Sequence, residues 1–397
     1  MWRHKPGGNS LLAGFLGGGN VGDEALVDAF CYSLADGASG HHSITIISGS
    51  PEVTRTMIKT ESVTLLKGLY PGPTMTIKEL AATIYHFAKT DRLVFIGGGI
   101  IQDVHGLNLL THSVFYGQLA RLFNRPAVAI GVGAGPIRTK EGRLLAKVWA
   151  DSLSLAYARD SDSFDLLRRL SEDKEIIRHG TDSSFLLPAS HRGPKTNTIG
   201  LCLRKWKSLQ DGAVLELIDT LSQKNYNLTY LCFEPDDVDY LRNLGIDEKE
   251  IVRPTSVEAA IRHIENLDGI VSMRLHGNLF AMQAGTPFCA LAYDPKVSNV
   301  LSELGFGARV FKMDFDPSEV VETLLSVDVN ADQGVDWARQ TARKMAQESL
   351  TIAEPRKCSL AGKVEALSKV LAIALQKIIF RKVLYYKSRL IVRLYNP

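Results

Sequence analysis

The sequence predicts an α/β protein with two Rossmann-like domains that face each other across a cleft, followed by a C-terminal helical extension. Strand-like and helix-like segments alternate along the chain, which favours a doubly wound sheet. The strand-like segments are almost continuously apolar, which is typical of parallel strands covered on both faces. The alternation stops at residues 187–198, "LPASHRGPKTNT", and then restarts. A chain of 397 residues is long enough for two domains.

The first domain is predicted to span residues 1–190 and the second residues 191–330. Helices are assigned by their 3.6-residue apolar period and strands by short apolar runs. In the first domain the predicted strands are SLLAGFL, SITIIS, SVTLL, DRLVFIGGG, PAVAIGVGAGP (strand and loop) and SLSLAYARD. Its predicted helices are DEALVDAFCYSLA, TIKELAATIYHFAK, LNLLTHSVFYGQLARLF and TKEGRLLAKVWAD. In the second domain the alternating segments are TIGLCLR, AVLELIDTLSQK, LTYLCF, VEAAIRHIENL, GIVSM, GNLFAMQAG and PFCALAY.

The charge of the chain is concentrated at its C-terminus, where residues 331–397 are predicted to be helical. The net charge is +3, but residues 363–397 hold eight basic residues and one acid, so the rest of the chain is slightly acidic. This balance gives no reason to expect nucleic acid as a partner. A basic amphipathic tail favours contact with an anionic membrane surface. For residues 362–376, packing back onto the domains is an equal alternative, whereas membrane contact is favoured for residues 377–397.

Cysteine usage and hydropathy bound the compartment. The five cysteines are scattered and mostly lie in apolar runs, which predicts reduced thiols in a cytoplasmic protein. Their spacing does not suggest a metal site. The sequence shows no uncharged apolar stretch near the roughly 18–20 residues that span a bilayer. We therefore expect a cytoplasmic protein that associates peripherally with the inner face of the cell membrane.

Two glycine-rich loops follow predicted strands of the first domain, "FLGGGNVGDEAL" and "FIGGGIIQDVHG". Their glycines let the backbone approach a ligand, and the helix that follows favours an anion. The glycines considered for ligand binding are Gly18, Gly19, Gly98 and Gly99. Asp23 and Asp103 are candidates to orient or deprotonate a substrate, with helix capping as the alternative for both. A metal site at Asp103, His105 and His112 is disfavoured, because the spacing is not that of known metal ligands.

Basic residues follow other predicted strands, with Arg159 in "YARDSDSF" and Arg274 and His276 in "SMRLHGNLF". Arginine offers a planar, permanently charged fork for phosphate or carboxylate, and histidine exchanges a proton near neutral pH. In an extended chain, residues two apart point to the same side. Arg274 and His276 are therefore expected to act together as an anion clamp and a proton-handling group. A salt-bridged strand end is the alternative.

Seven motifs in this order resemble the polysaccharide pyruvyl transferase family, and most closely its bacterial cell-wall branch. They cover most of residues 11–305 and are GGGNVGDEAL, GGGIIQD, GVGAGPI, ARDSDS, TDSSF, SMRLHGNLFAMQAGTP and YDPKV. The resemblance implies a fold like the B-type glycosyltransferases and phosphoenolpyruvate as donor, with no metal and no cofactor. It implies a sugar acceptor that gains a 4,6-linked pyruvate ketal, with release of phosphate. In the wall branch this acceptor is a lipid-linked disaccharide that contains N-acetylmannosamine, a precursor of secondary cell wall polymer.

The resemblance also implies roles for particular residues. Arg159 and Arg274 would bind phosphoenolpyruvate, and His276 would be catalytic. Asp23 and Asp103 match acidic positions of the family. The residues left as acceptor contacts or structural groups are Asn20, Asp294 and Lys296. Two other classes remain open: a sugar-nucleotide glycosyltransferase of the same fold, and a non-catalytic module that binds phosphorylated or polysaccharide ligands.

Overall fold

The computed structural model describes residues 8–37, 42–69, 75–326, 333–352 and 354–395, with side chains described except for 35–37, 333 and 380–395. Two sheets form the centres of two domains, and every strand pairing in them is parallel. The strands of the first sheet are β1 Asn9–Ala13, β2 Ser43–Ser48, β3 Val63–Lys67, β4 Arg92–Ile96, β5 Ala127–Val132, β6 Leu155–Ala158 and β7 Ile177–His179. Its helices are α1 Val21–Gly37, α2 Pro51–Met57, α3 Ile77–Lys89, α4 Asn108–Leu122, α5 Lys140–Ala150 and α6 Ser161–Leu170.

The second sheet begins after the predicted linker. Its strands are β8 Thr198–Cys202, β9 Asn227–Leu231, β10 Ile251–Val252, β11 Gly269–Ser272, β12 Phe288–Leu291 and β13 Val310–Phe311. The helices around it are α7 Asp211–Gln223, α8 Pro235–Asn243, α9 Val257–Glu265, α10 Leu275–Ala284, α11 Pro295–Glu303 and α12 Pro317–Ser326. Two long helices, α13 Gln333–Thr351 and α14 Leu360–Tyr395, follow it. The expected α/β fold with two Rossmann-like sheets is confirmed.

The strand orders explain which loops meet. The first sheet runs β3-β2-β1-β4-β5-β6-β7 and the second runs β10-β9-β8-β11-β12-β13. In each sheet the chain begins at a central strand, β1 or β8, and adds two strands on one side of it. It then crosses to the other side at β4 or β11. Loops at the carboxyl ends of parallel strands form the ligand crevice of such sheets. The loops after β1, β4, β5, β6 and β7 are therefore neighbours, as are those after β9, β8, β11 and β12.

The floor of the cleft is an apolar contact between α1 of the first domain and α10 of the second. Val21, Ala25 and Ala29 share a buried cluster with Leu275 and Leu279. The Val21 backbone N–H also donates to the Phe233 carbonyl across the boundary at 3.1 Å. Removal of this surface from water brings the start of α1 against the second sheet. The glycine loop before α1 therefore lies at the cleft.

The two C-terminal helices follow the second sheet in the chain, but α14 packs on the first domain and α13 contacts both domains. Glu348 of α13 accepts from the hydroxyl of Tyr157, in β6, at 2.8 Å. On α14, Val370, Ile373 and Ala374 are buried in the same core cluster as α4. Lys377 donates to Asn108, the first residue of α4, at 3.1 Å. Gly362 lies beside Arg121 near the end of α4, so α14 runs antiparallel to α4 and continues past the carboxyl edge of the sheet.

Candidate active site in the interdomain cleft

Asp23 lies at the start of α1 and faces the second glycine loop. The helix is capped by Asn20, whose side-chain oxygen accepts from the Gly22 and Asp23 backbone N–H groups at 2.9 and 3.3 Å. The Asp23 carboxyl is therefore not used as the cap. A methyl group added to Gly98, which has φ +71°, would lie 2.9 Å from its oxygen. Loss of water raises the pKa of Asp23 to about 6, against the opposing charge of His276. Asp23 can therefore exchange a proton near neutral pH.

Glu24 holds the first glycine loop in shape. It is fully buried, and it accepts from the Gly17 N–H at 2.6 Å and from the Thr54 hydroxyl at 3.3 Å. Gly17 has φ +81°, and a side chain there would meet the Ser50 backbone, so this turn requires glycine. Burial raises the pKa of Glu24 to about 7 despite these bonds. The loop that presents Asp23 thus rests on a buried carboxyl group.

His276 reaches from the second domain to the first. It is the second residue of α10 and is almost fully buried. Its Nε2 lies 3.5 Å from Oδ1 of Asp182. A methyl group added to Gly22 would lie 2.1 Å from its Nδ1, so only glycine at position 22 leaves room for the ring. The imidazole is therefore enclosed between α1, Asp182 and its own helix.

Asp182 connects His276 with Arg159. Arg159 Nη1 donates to Asp182 Oδ2 at 3.3 Å, and both side chains are buried. Burial alone would raise the pKa of Asp182, but His276 and Arg159 hold it well below its usual range. Asp182 also caps the short turn that follows it, by accepting from the Ser184 N–H at 2.9 Å. Its second role places a negative charge beside the imidazole of His276.

Arg274 is paired with acids of its own domain. It donates to Glu234 at 2.8 Å and, through Nε, to Asp237 at 3.2 Å. Although burial opposes it, these two acids raise the pKa of Arg274 further above its usual value. The expectation that Arg274 and His276 lie on one side of an extended segment is wrong. Helix α10 begins at Leu275, so the two residues are not in one extended segment and have different partners.

Glu234 is the point where several of these groups converge. It accepts from Asn20 at 2.5 Å, across the domain boundary, and from Arg274. Arg204 lies 3.9 Å away. Burial raises the pKa of Glu234, but the Arg274 charge outweighs this and lowers it. Asn20, predicted as an acceptor contact or a structural group, thus ties the first glycine loop to this carboxylate.

The remaining predicted residues occupy separate positions. Asp103 accepts from the Arg138 N–H at 2.8 Å, the Thr139 N–H at 2.7 Å and the Thr139 hydroxyl at 2.6 Å. Although burial acts in the other direction, these bonds lower the pKa of Asp103. Asp103 is therefore hydrogen-bonded to the turn before α5 and not to His276. Asp294 caps α11 by accepting from the Lys296 N–H at 3.0 Å.

The glycines of the two loops differ in what they face. Gly19 lies beside Arg253 of the second domain, and a side chain on Gly18 would touch the Phe15 ring. A side chain on Gly99 would meet nothing within 4 Å. Within the described residues, no group of three or more His, Cys, Asp or Glu side chains is placed to hold a metal ion. A surface depression of about 440 Å³ between α5 and the end of α6 is lined by none of the cleft residues.

Sequence reasoning missed Glu234, Asp237 and Arg204 and gave Asp182 no role in the site. Glu234 and Asp237 lie in "FEPDD" directly after β9. An acidic pair at the carboxyl end of a parallel strand is a signal that could have found them. Their bonds to Arg274 span 37 to 40 residues of sequence, and the sheet order was needed to see that these loops are neighbours.

The fold and the cleft define a two-domain protein of the B-type glycosyltransferase architecture. A similar solved structure is the UDP-GlcNAc 2-epimerase of Methanocaldococcus jannaschii, with TM-score 0.56, 10% identity and coverage of 86% of this chain and 98% of that one. Another is Anabaena Alr3699/HepE with UDP and glucose, with TM-score 0.52, 12% identity and coverage of 96% and 100%. At these identities the likeness shows the fold alone.

The family is shown by the sequence itself. The model of the polysaccharide pyruvyl transferase family matches residues 20–295, and the chain belongs to this family. The amylovoran biosynthesis protein AmsJ of Erwinia amylovora is 21% identical over 317 residues, which cover 69% of this chain and 74% of that protein. The family resemblance and the expectation of a transferase are confirmed.

Proposed function

We propose that this protein transfers the pyruvyl group of phosphoenolpyruvate to two hydroxyls of one sugar unit, forming a cyclic ketal and releasing phosphate. Membership of the family supports pyruvyl transfer in polysaccharide synthesis. The observation that carries the proposed chemistry is the convergence of His276 with Asp182 and Asp23 across the domain boundary. Asp182 lies against the imidazole, and burial raises the pKa of Asp23 to about 6.

The reaction needs one proton delivered to carbon and two removed from oxygen. In the proposed course, His276 donates a proton to the CH2 carbon of phosphoenolpyruvate, which leaves an oxocarbenium-like centre at C2. A sugar hydroxyl forms a bond to C2 and loses its proton to Asp23, whose pKa of about 6 suits a base. The C2–O bond to phosphate breaks, the second hydroxyl attacks C2, and its proton is taken up by the released phosphate. Phosphoenolpyruvate and a diol thus become a ketal and inorganic phosphate.

Arg159 and Arg274 are the proposed holders of the donor anion. Both lie at carboxyl ends of strands and are buried. Their charges stabilise negative oxygens more strongly in such a site than in water. Each also has two acidic neighbours, Asp160 and Asp182 for Arg159, and Glu234 and Asp237 for Arg274. Binding of a trianionic donor therefore calls for further cations in the cleft.

The proposed acceptor is a lipid-linked disaccharide with N-acetylmannosamine, pyruvylated at positions 4 and 6, as the family resemblance implies. The experiment is mass spectrometry of this acceptor after incubation with the protein and phosphoenolpyruvate. The expected product gains one pyruvate less one water, and phosphate appears in equal amount. Gain of a sugar residue from a sugar nucleotide would instead establish a glycosyltransferase. Absence of product and of phosphate with every acceptor would contradict an enzymatic role.

The proposed location is the surface of an anionic membrane, through α14. One face of this helix is buried on α4, so residues 360–379 do pack back onto the first domain. The opposite face carries exposed apolar side chains at helical spacing, namely Leu360, Val364, Leu367, Leu371, Leu375 and Ile379. The basic side chains after Ile379, for which membrane contact is also predicted, lie outside the part of the chain whose side chains the structure describes. Within the described part of the chain, no helix has the length and apolar content needed to cross a bilayer.

The apolar stripe supports membrane contact because an apolar helix face beside a basic segment is the pattern of interfacial helices. The helix also points past the carboxyl edge of the sheet, toward the side where the acceptor would enter. The test is sedimentation of the full chain with phosphatidylglycerol vesicles. We expect Leu371→Glu with Leu375→Glu to reduce binding. Leu215→Glu, at an exposed leucine of α7, is the control. Equal binding of all three proteins would contradict the proposed contact.

A further inference from the structure

Two aromatic rings and two cations form a cluster beyond the carboxyl ends of β8 and β12. The Trp206 and Tyr293 rings pack edge to face with centroids 4.7 Å apart. The Arg204 guanidinium lies 5.5 Å from the Trp206 ring centre and 5.2 Å from that of Tyr293. The Lys296 ammonium lies 5.6 Å from the Tyr293 ring centre. Both cations are therefore positioned by the same tyrosine.

The rings hold these cations without cancelling their charge. An aromatic face attracts a cation through its quadrupole and adds no net charge. The nearest carboxylates, Glu234 for Arg204 and Asp294 for Lys296, are each 3.9 Å away, longer than a direct hydrogen bond. By contrast, Arg274 is in direct contact with two carboxylates. Arg204 and Lys296 thus retain more of their positive charge for a ligand.

The cluster is open to solvent and continuous with the proposed active site. The Arg204 and Lys296 side chains are 25% and 39% exposed, so a ligand can reach them. Glu234 lies within reach of both Arg204 and Arg274. The Lys296 charge also acts to lower the pKa of Asp23, which shows that the two groups share one electrostatic environment. A ligand on the cluster therefore lies beside the proposed reacting centre.

We infer that Arg204 and Lys296, held by Trp206 and Tyr293, form a subsite that binds a phosphoryl group. An arginine fork gives paired hydrogen bonds to phosphate oxygens, and a lysine adds a point charge. Two sources share this chemistry: the phosphate of phosphoenolpyruvate and the diphosphate of a lipid-linked acceptor. The identity of these two ligands rests on the proposed function, but the presence of a phosphoryl subsite does not.

The test is calorimetric titration of the full chain with phosphoenolpyruvate and, separately, with inorganic pyrophosphate. Arg204→Gln and Lys296→Gln each remove a charge-assisted contact, so we expect affinity to fall about tenfold or more. The matched control is Lys205→Gln, which removes a positive charge from the residue next to Arg204 in the chain. Lys205 is paired with Asp211 at 2.9 Å, so we expect its removal to leave affinity unchanged. Far-ultraviolet circular dichroism checks that each variant is folded.

The pattern of losses identifies the source. Weakening of phosphoenolpyruvate alone assigns the subsite to the donor phosphate, weakening of pyrophosphate alone assigns it to an acceptor diphosphate, and weakening of both supports a shared subsite. If neither ligand binds the unaltered chain, or if both variants match Lys205→Gln, the inference is overturned. These titrations need no turnover. A chain that forms no ketal yet shows the expected losses would contradict the proposed function and leave the subsite standing.

Discussion

The carboxyl edges of the two sheets meet in one cleft but bring different chemistry to it. The first edge provides close-approaching backbone at Gly17 and Gly98 and the buried or partly buried carboxyls of Asp23 and Asp182. The second edge provides His276 and cations in two electrostatic states: Arg274 neutralised by acids, Arg204 resting on aromatic rings. The comparison indicates a division of work in which the first edge controls protons and the second supplies the imidazole and attracts anions.

The largest effect is expected where the two edges touch. Gly22→Ala would place a methyl group 2.1 Å from Nδ1 of His276, so the ring or the domain must shift. General acid–base groups contribute roughly 10²- to 10⁴-fold to rate, and we expect phosphate release to fall by at least about 100-fold. Gly212→Ala is the control, because a side chain there meets nothing within 4 Å. Similar activity in both variants would contradict the placement of His276 against α1.

A smaller effect is expected when the first edge loses one charge. Asp182→Asn keeps the shape of the side chain but removes the negative charge beside the imidazole of His276. We expect turnover to fall about tenfold to 100-fold, because the imidazole loses its charged partner. The measurement is the rate of phosphate release. Turnover equal to that of the unaltered chain would contradict a role for Asp182 in the reaction.

The smallest effect on turnover is expected at Glu24, which supports the first edge from inside. Its pKa is raised from 4.5 to about 7 by burial. The stability that the protonated Glu24 carboxyl contributes is therefore fully present below about pH 4.5. It is lost as the pH rises through about 7. Glu24→Gln keeps an acceptor for the Gly17 N–H and cannot ionise, so we expect it to gain about 2–3 kcal/mol at pH 8.

Urea unfolding at pH 5 and pH 8 measures this. At pH 8 the free energy of unfolding of the unaltered chain should be lower than that of Glu24→Gln. At pH 5 the two values should converge. Glu79→Gln, which removes a carboxyl of the half-buried capping box of α3, is the control and should show no such pH-dependent gain. A variant that is destabilised equally at both pH values would contradict the raised pKa of Glu24.

Much of the fold was predictable because buried parallel strands have a local signature. The segment "SITIIS" coincides with β2, and Thr76, the first residue of the predicted helix, caps α3. Short elements such as α2, α8 and β13 were missed because they are too short for a clear period. The packing of α14 on the first domain, and of α13 across both domains, was not predictable from local pattern either. Their apolar faces match any apolar surface, and only the fold determines which one is adjacent.

The site was predictable in its parts but not in its pairings. Glycine loops and basic residues at strand ends identified Asp23, Arg159 and His276 as members of the cleft. The partner of Arg274 depended on the order β9-β8-β11 in the second sheet, which places Glu234 and Arg204 beside it. The hydrogen-bond partners of Asp103 were not predictable, because they come from a turn 35 residues later. Sequence pattern shows which strand ends carry polar groups, whereas sheet order decides which of them meet.

The most direct measurement of the central claim is phosphate release and phosphoenolpyruvate binding by His276→Gln, compared with His105→Gln at an exposed loop position. The claim is that His276, held between the two edges of the cleft, donates a proton to the CH2 carbon of phosphoenolpyruvate. It predicts at least about a 100-fold loss of phosphate release with binding of phosphoenolpyruvate within a few-fold, and full activity of the control. Full activity of His276→Gln would contradict the claim, and loss of binding equal to loss of rate would make His276 a binding residue instead.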